Sequence, residues 1–132
     1  MKVVDFNGRE YNFPPSGHMP NLGDLRKRSQ YHLAARDLLK SMYPTQRILE
    51  EIPLPGIRLF ADFYLPDRKI VIEVHGQQHY RFVAHFHGTV AGFLGAKGKD
   101  LKKQEWCELN NISLVVLPYD KQDGWRETIE QG

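Results

Sequence analysis

The sequence has almost no cysteine and no long apolar run, which excludes two large classes of protein. Its one cysteine, Cys107, cannot form a disulfide within the chain. No stretch approaches the roughly 18 consecutive apolar residues that a membrane span needs, and the sequence does not open with a basic segment followed by an apolar one. We therefore expect no membrane partner and a reducing, intracellular location in the cytoplasm.

Net charge is also small, although the cations are unevenly placed. The 132 residues carry a net charge of only +2, and their hydrophobic (41%) and charged (26%) fractions are those of an ordinary folded domain. The cations form two groups, which are Arg26, Lys27 and Arg28, and then Lys97, Lys99, Lys102 and Lys103. Two interpretations fit: solvated surfaces, or basic patches that bind a polyanion beside a site holding carboxylates.

The first residues have the pattern of a β-hairpin. Residues 2–6 and 10–13 alternate apolar and polar side chains, and Asn7 and Gly8 between them are the strongest two-residue signal for a hairpin turn. Residues 14–23 are rich in proline and glycine and have no period, which indicates a loop.

The rest of the chain has the pattern of helix, three strands, helix, strand and helix. Ser29 is a credible N-cap for a helix that ends before Pro44. The other predicted elements are strands at 47–52, 57–64 and 69–74, a loop at 76–96, a helix at 99–109, a strand at 112–117 and a short helix at 125–129. The expected buried residues are Leu33, Ala34, Leu38, Leu39 and Met42 in the first helix and Trp106, Cys107, Leu109, Leu114, Val116 and Leu117 near the end.

These elements predict an α/β fold. A helix followed by a strand near the end resembles a crossover onto the same sheet. We expect a central mixed β-sheet flanked by helices on both faces. Residues 1–24 are expected to form the hairpin and its loop, and residues 25–132 the main part of a single compact domain.

Two carboxylates stand where strands normally carry hydrophobic residues. Asp62 follows Leu59-Phe60-Ala61, and Glu73 follows Ile70-Val71-Ile72. Burying an unpaired charge costs several kcal/mol, so a strand interior keeps a carboxylate mainly where a cation, a donor or a metal meets it. The two residues lie on neighbouring predicted strands, which brings their oxygens to one place at the sheet edge where those strands diverge.

A hard divalent cation suits this pair of carboxylates. Magnesium prefers oxygen ligands, keeps several waters and is typically held by one or two carboxylates together with a substrate phosphate. Such an ion polarises a phosphate and lowers the pKa of an attacking water. The alternative is that Asp62 and Glu73 only form ion pairs with neighbouring arginine or lysine residues.

Two histidines follow Glu73 closely. His75 is two residues further, on the same side of the strand by the period of two, where it can orient water or a phosphate. His79 stands just beyond the strand, where it can act as a general acid or base near neutral pH. The alternative for His79 is a purely structural role.

The spacing Asp-(x10)-Glu-Val-His on a β-hairpin resembles the PD-(D/E)XK nuclease superfamily, with His75 where the lysine usually stands. The pattern is most similar to the branch of the very-short-patch repair endonuclease and the EDxHD homing endonucleases. The matching residues, within about residues 26 to 118, are Ala61-Asp62-Phe63, Glu73-Val74-His75-Gly76, His79 and Asp100.

The resemblance implies a restriction-endonuclease-like fold and a DNA endonuclease dependent on Mg²⁺ or Mn²⁺. Asp62 and Glu73 are the implied metal ligands, His79 the proton-transfer group and His75 the group that orients water or phosphate. It further implies a phage or mobile-element setting in a bacterial host.

Two further residues occupy places that matter in that branch. His32 stands where the branch often has a glutamate early in its first helix, which implies a supporting role in the site. Asp100 fits the aspartate at the start of the later helix. The alternative for Asp100 is a helix-start carboxylate favoured by the macrodipole.

DNA is the partner that these predictions require, and both basic groups are expected to bind its phosphates. Cutting both strands with one small site needs a homodimer or two successive nicks. Three other functions remain open: a non-catalytic DNA-binding module that keeps the nuclease fold, a branched-DNA resolvase, and a nuclease that acts on RNA.

Overall fold

The computed structural model describes residues 1–15, 29–76 and 90–132. They form β1 (Lys2–Val4), β2 (Glu10–Asn12), α1 (Gln30–Met42), β3 (Leu49–Leu54), β4 (Leu59–Leu65), β5 (Ile70–His75), α2 (Val90–Leu109), β6 (Ser113–Pro118) and α3 (Trp125–Glu130), with a 3-10 turn at Gln122–Gly124. The predicted mixed α/β class and its N-terminal hairpin are confirmed. The predictions for Arg26, Lys27, Arg28 and His79, and most of both predicted loops, lie outside the described residues.

The main sheet has four strands in the order β3-β4-β5-β6. The pairs β3–β4 and β4–β5 are antiparallel, which confirms the predicted meander, and β5–β6 is parallel, as expected for a strand reached by a helical crossover. The sheet is therefore mixed, as the sequence predicts. Hairpin β1–β2 forms a separate two-stranded sheet.

Helices cover both faces of the main sheet. One core cluster joins Val71 of β5 to Trp106 of α2 and to Phe13 of the hairpin. The other joins Ile72 of β5 to α1 and, through Trp125, to α3. Because consecutive residues of a strand point to opposite faces, α2 and the hairpin lie on one face, and α1 and α3 lie on the other.

Helix α1 begins where its sequence predicts. The Ser29 hydroxyl accepts a hydrogen bond from the His32 backbone N–H at 3.1 Å, so Ser29 is the N-cap. The predicted buried face is only partly right, because Leu33 is 40% exposed. Leu39 is buried as predicted, and the helix also buries His32, Ala35 and Arg36. The two polar residues, His32 and Arg36, contact the buried carboxylate of Glu50 on β3.

Helix α2 begins at Val90, nine residues before the predicted start, so the predicted loop is wrong over 90–96. The reason is that the apolar side chains described in this half form no buried stripe, since Val90 is 61% exposed and Leu94 63% exposed. Glycines in this segment also disfavour a helix. Further along, Leu109 was wrongly expected in the core, since it is 46% exposed.

None of the helices within the described ranges has the length and apolar character that crossing a membrane requires.

The hairpin is fastened to the main part by polar contacts as well as by its core residues. Asp5 Oδ1 accepts the backbone N–H groups of Asn7 and Arg9, both at 2.9 Å, which holds the hairpin turn. The Asn110 side chain, just after α2, accepts the Val4 N–H at 2.8 Å and donates to the Val4 carbonyl at 3.0 Å. The hairpin edge is thus paired with a side-chain amide.

The turn between β3 and β4 requires glycine at residue 56. Gly56 has φ +88°, and a Cβ added there would collide with the side chain of Asp5. Gly8 has a similar φ, +81°, but a Cβ there would meet open space. We expect Gly56→Ala to lower the free energy of unfolding by about 2–4 kcal/mol, since backbone strain and overpacking add.

Gly8→Ala is the matched control, because it carries backbone strain alone and should cost about 1 kcal/mol. Urea denaturation of both variants measures the difference. Equal losses of stability would contradict the contact between the turn and the hairpin.

Candidate active site

The strands that carry the two predicted carboxylates separate at those residues. Pairing between β4 and β5 extends from Leu65 opposite Ile70 to Phe63 opposite Ile72. Beyond that point β4 remains paired with β3, and β5 remains paired with β6. The predicted divergence is confirmed, but it is a fork between the two inner strands of the sheet and not, as predicted, at the sheet edge.

Side-chain oxygens replace the missing backbone pairing in this fork. The Asp62 N–H donates to Glu73 Oε2 at 2.8 Å, and the Val74 N–H donates to Asp62 Oδ2 at 2.8 Å. Each carboxylate therefore binds the backbone of the opposite strand. The two predicted ligands are brought together by bonds that fix the position of both.

At Asp62, the side chains of β4 change the face of the sheet to which they point. Ala61 packs in the core cluster under α2, whereas Phe63 packs in the cluster under α1. A regular strand would place residues 61 and 63 on the same face. The irregularity is centred on Asp62, which is partly buried.

Glu73 is buried, at 3% exposure, and its cation comes from α2. Lys103 Nζ donates to Glu73 Oε1. Burial and the charge of Asp62 raise the pKa of Glu73 to about 7, although the charge and hydrogen bond of Lys103 act in the opposite direction. Lys103, which was predicted to bind DNA phosphates, thus lies at the carboxylate site itself.

A cavity of about 170 Å³ opens beside Glu73 between β5, β6 and α2. Of the predicted site residues, His75 and Asp100 line it together with Glu73 and Lys103. Because α2 begins at Val90, Asp100 stands far from the first turn, so the helix macrodipole does not account for it. Four chemically active side chains thus border one small space.

His32 is not part of this group. Its Nε2 contacts Glu50 Oε1 at 2.7 Å, and its ring stacks on Phe63 with centroids 4.6 Å apart. Arg36 donates to the same carboxylate at 2.9 Å through Nη2 and at 3.0 and 3.1 Å through Nε. His32 therefore belongs to a buried charge cluster on the α1 side of the sheet, and the supporting role predicted for it stays a prediction.

Glu50 could not be recognised from the sequence as the partner of His32. Glu50 is followed by Glu51, and such a pair in a strand is more often solvated than buried. Burial by itself would raise the pKa of Glu50, but the hydrogen bonds from His32 and Arg36 outweigh it, so the pKa lies below its ordinary value.

The other basic residues occupy the exposed part of α2. Lys97, Lys99 and Lys102 are exposed, whereas the side chain of Lys103 is only 16% exposed.

Cys107, one helical turn after Lys103, is fully buried, and burial raises the pKa of its thiol to about 12. The thiol is therefore a packing group and not a nucleophile at neutral pH.

The donor set fits an ion that keeps most of its water. No three histidine, cysteine, aspartate or glutamate side chains surround a common point in the ranges 1–15, 29–76 and 90–132. Asp62 and Glu73 offer two carboxylates, and their proximity leaves negative charge that a cation relieves. That arrangement suits magnesium, which one or two carboxylates hold, and not an ion enclosed by protein ligands.

The Glu50 cluster predicts a specific pH dependence of stability. Because the pKa of Glu50 is lowered in the folded state, its stabilisation is complete above its ordinary pKa of 4.5 and is lost as the pH falls through the folded value. Glu50→Gln should lower the free energy of unfolding by about 3–5 kcal/mol at neutral pH, because Arg36 stays buried without its counterion.

Urea denaturation at a series of pH values between neutral and strongly acidic tests this, with exposed Glu130→Gln as the control. The difference between wild type and Glu50→Gln should shrink below pH 4.5. A difference that is constant with pH would show that the charge of Glu50 does not stabilise the fold.

Three viral proteins are similar to part of the chain. Uncharacterized protein 307L of Invertebrate iridescent virus 6 is 37% identical over 68 residues, which are 52% of this chain and 34% of that protein. Uncharacterized protein 033L of Invertebrate iridescent virus 3 is 30% identical over 67 residues, 51% of this chain and 34% of that protein. Uncharacterized protein 094L of Frog virus 3 is 33% identical over 72 residues, 54% of this chain and 46% of that protein.

The chain thus spans between a third and a half of the length of these curated relatives. No protein-family model matches the chain, and no solved structure matches it.

Proposed function

We propose that the protein is a metal-dependent DNA endonuclease of the restriction-endonuclease-like type. The observation that carries this proposal is the fork between β4 and β5, where Asp62 and Glu73 bind each other's strands next to Lys103. The fork, with His75 and Asp100 on the adjoining cavity, supplies the carboxylates, the cation and the acid–base groups that phosphodiester hydrolysis uses.

Asp62 and Glu73 are the residues that would hold Mg²⁺ or Mn²⁺. When bound, the ion would polarise the scissile phosphate and lower the pKa of an attacking water. The backbone bonds of the two carboxylates fix their positions, so little rearrangement is needed to present them. Such preorganisation is the main contribution of a protein to this kind of reaction.

Lys103 takes the role that the resemblance gives to a lysine two residues after the glutamate, where this chain has His75. Its ammonium group reaches Glu73 from α2 and not from β5. We assign it to stabilising the negative charge that builds on the phosphate. His75 and Asp100 orient water in the cavity, and His79 remains the proposed proton-transfer group.

The proposed substrate is DNA, and the exposed lysines of α2 are the proposed phosphate contacts. The three similar proteins are all viral, which supports a viral setting for this one. A homodimer is the proposed form for double-strand cutting, whereas a monomer would nick.

One observation favours a second function, a DNA-binding module without catalysis. Lys103 already neutralises Glu73, so its ammonium group does part of what a metal would do there. In that case the carboxylates and the lysine form a structural ion pair, which is a common way to keep a buried acid in a fold.

Cleavage assays discriminate between the two functions. We expect wild-type protein with Mg²⁺ or Mn²⁺ to cut supercoiled plasmid, linear duplex or a four-way junction, and EDTA to stop the reaction. Asp62→Asn should reduce the rate at least about a hundredfold. Asp67→Asn, at the exposed turn before β5, is the matched control and should cut like wild type.

DNA binding without cutting of any of the three substrates would favour the binding module. Cutting by Asp62→Asn at the wild-type rate would contradict the assigned site. Including an RNA hairpin in the panel shows whether the reaction requires DNA.

Lys103→Met separates catalysis from a structural ion pair. If Lys103 stabilises charge on the phosphate, its loss should lower kcat by about a hundredfold while KM changes little. Lys121→Met, which removes an exposed lysine outside α2 and outside the proposed DNA-binding surface, is the control. A Lys103→Met protein that unfolds in mild urea but cuts at the wild-type rate when folded would show a structural role alone.

A further inference from the structure

A second, basic groove lies on the α2 side of the sheet, near the fork. It encloses about 450 Å³ and is lined by Arg58 and Leu59 at the start of β4 and by Gly95, Gly98, Lys99 and Lys102 of α2. The volume is that of a pocket for a small ligand, about 300–1,000 Å³. It can therefore enclose a short stretch of one strand but not a whole duplex.

The charge in this groove has one sign. Arg58 stands on one wall and Lys99 and Lys102 on the other, and no acidic residue is among the lining residues that the structure describes. None of these three cations forms an ion pair with the part of the chain that the structure describes, whereas Lys103 next to them is paired with Glu73. The groove thus concentrates positive potential, which favours an anion with several charges.

Arg58 occupies a backbone conformation that arginine does not favour. Its φ is +57°, in the left-handed region where glycine or asparagine is usual. An arginine at such a position lowers the stability of the fold. A requirement for a cation on this wall of the groove would account for that cost. Nothing about the turn itself requires an arginine.

Two glycines of α2 line the groove, so this wall has no side chain at those positions. Gly95 and Gly98 lie inside a helix, where glycine is less favourable than alanine, and a Cβ at either residue would meet no atom of the described residues within 4 Å. Packing against the protein therefore does not explain the two glycines. They leave the helix backbone open to close approach by a bulky group.

The groove adjoins the fork through the chain itself. Leu59 lies three residues before Asp62 on β4, and Lys102 directly precedes Lys103 on α2. The groove is therefore bordered by the strand that carries Asp62 and by the helix that carries Lys103. A phosphodiester backbone carries a regular succession of charges, and it contains the bond that the proposed function cuts, which an acidic peptide does not.

We propose that the groove between Arg58 and the Lys99–Lys102 segment of α2 holds the phosphate backbone of one nucleic-acid strand beside the fork. The inference rests on the proposed function and names the surface that positions its substrate. Arg58, which lies outside both basic clusters of the sequence, is then a phosphate-binding residue. Gly95 and Gly98 give the strand its closest approach.

Binding is measured separately from cutting, in an Asp62→Asn background with Mg²⁺, by fluorescence anisotropy of a labelled DNA duplex at several salt concentrations. Replacing Arg58, Lys99 and Lys102 together by alanine should weaken affinity tenfold or more at about 0.15 M salt. It should also lower the slope of log affinity against log salt by about two to three, roughly one for each phosphate that is no longer neutralised.

Gly98→Leu tests the shape of the groove without changing charge. Leucine favours a helix, so the variant should melt no lower than its parent, yet it should bind DNA several-fold more weakly because its side chain fills the groove. Lys121→Ala combined with Arg126→Ala, two exposed cations near α3, is the matched charge control and should leave affinity within twofold.

Unchanged affinity and salt slope in the triple variant would overturn the inference. Displacement of the DNA by poly-glutamate at equal charge concentration would also overturn it, since the groove would then suit an acidic protein surface. Loss of binding in the triple variant, together with no cutting by wild type, would support the groove and reject the nuclease. Normal binding by the triple variant, together with metal-dependent cutting by wild type, would support the nuclease and reject the groove.

Discussion

The mutual bonds of Asp62 and Glu73 hold the centre of this molecule together. Where β4 and β5 separate, each strand loses backbone partners, and unpaired backbone groups in a protein interior are costly. The two carboxylates accept the N–H groups of the opposite strand instead. The same bonds concentrate two negative charges in a buried place. A nearby cation lowers the cost of this charge, and Lys103 of α2 provides one.

On the opposite face of the sheet, a buried carboxylate has a different set of partners. Glu50 is matched by Arg36 and His32 of α1, and its pKa is lowered. Glu73 has one lysine against a neighbouring carboxylate, and its pKa is raised to about 7. The first site is close to electrically balanced and serves stability. The second sets two carboxylates against one ammonium group beside a cavity, an imbalance that the proposed divalent ion would relieve.

Local patterns predicted most of the fold. Alternation, turn residues and the Ser29 cap located the hairpin, α1, the meander and β6, because each depends on neighbours in sequence. The first half of α2 was missed, since the apolar residues described there, Val90 and Leu94, are exposed and give no pattern of a buried face. At the site, Asp62 and Glu73 could be predicted from charge within apolar strands. The contact of Lys103 with Glu73 and the contact of Glu50 with His32 could not be predicted, because they span 30 and 18 residues of sequence.

The proposed function requires that Asp62 and Glu73 hold a divalent ion beside Lys103. Crystals grown or soaked with Mn²⁺ test it directly, through the anomalous scattering of manganese. We expect one strong anomalous peak within about 2.5 Å of oxygens of both carboxylates, with the Lys103 ammonium moved away from Glu73, and no peak in Asp62→Asn crystals. An empty fork at saturating Mn²⁺, with Lys103 still bonded to Glu73, would contradict the claim.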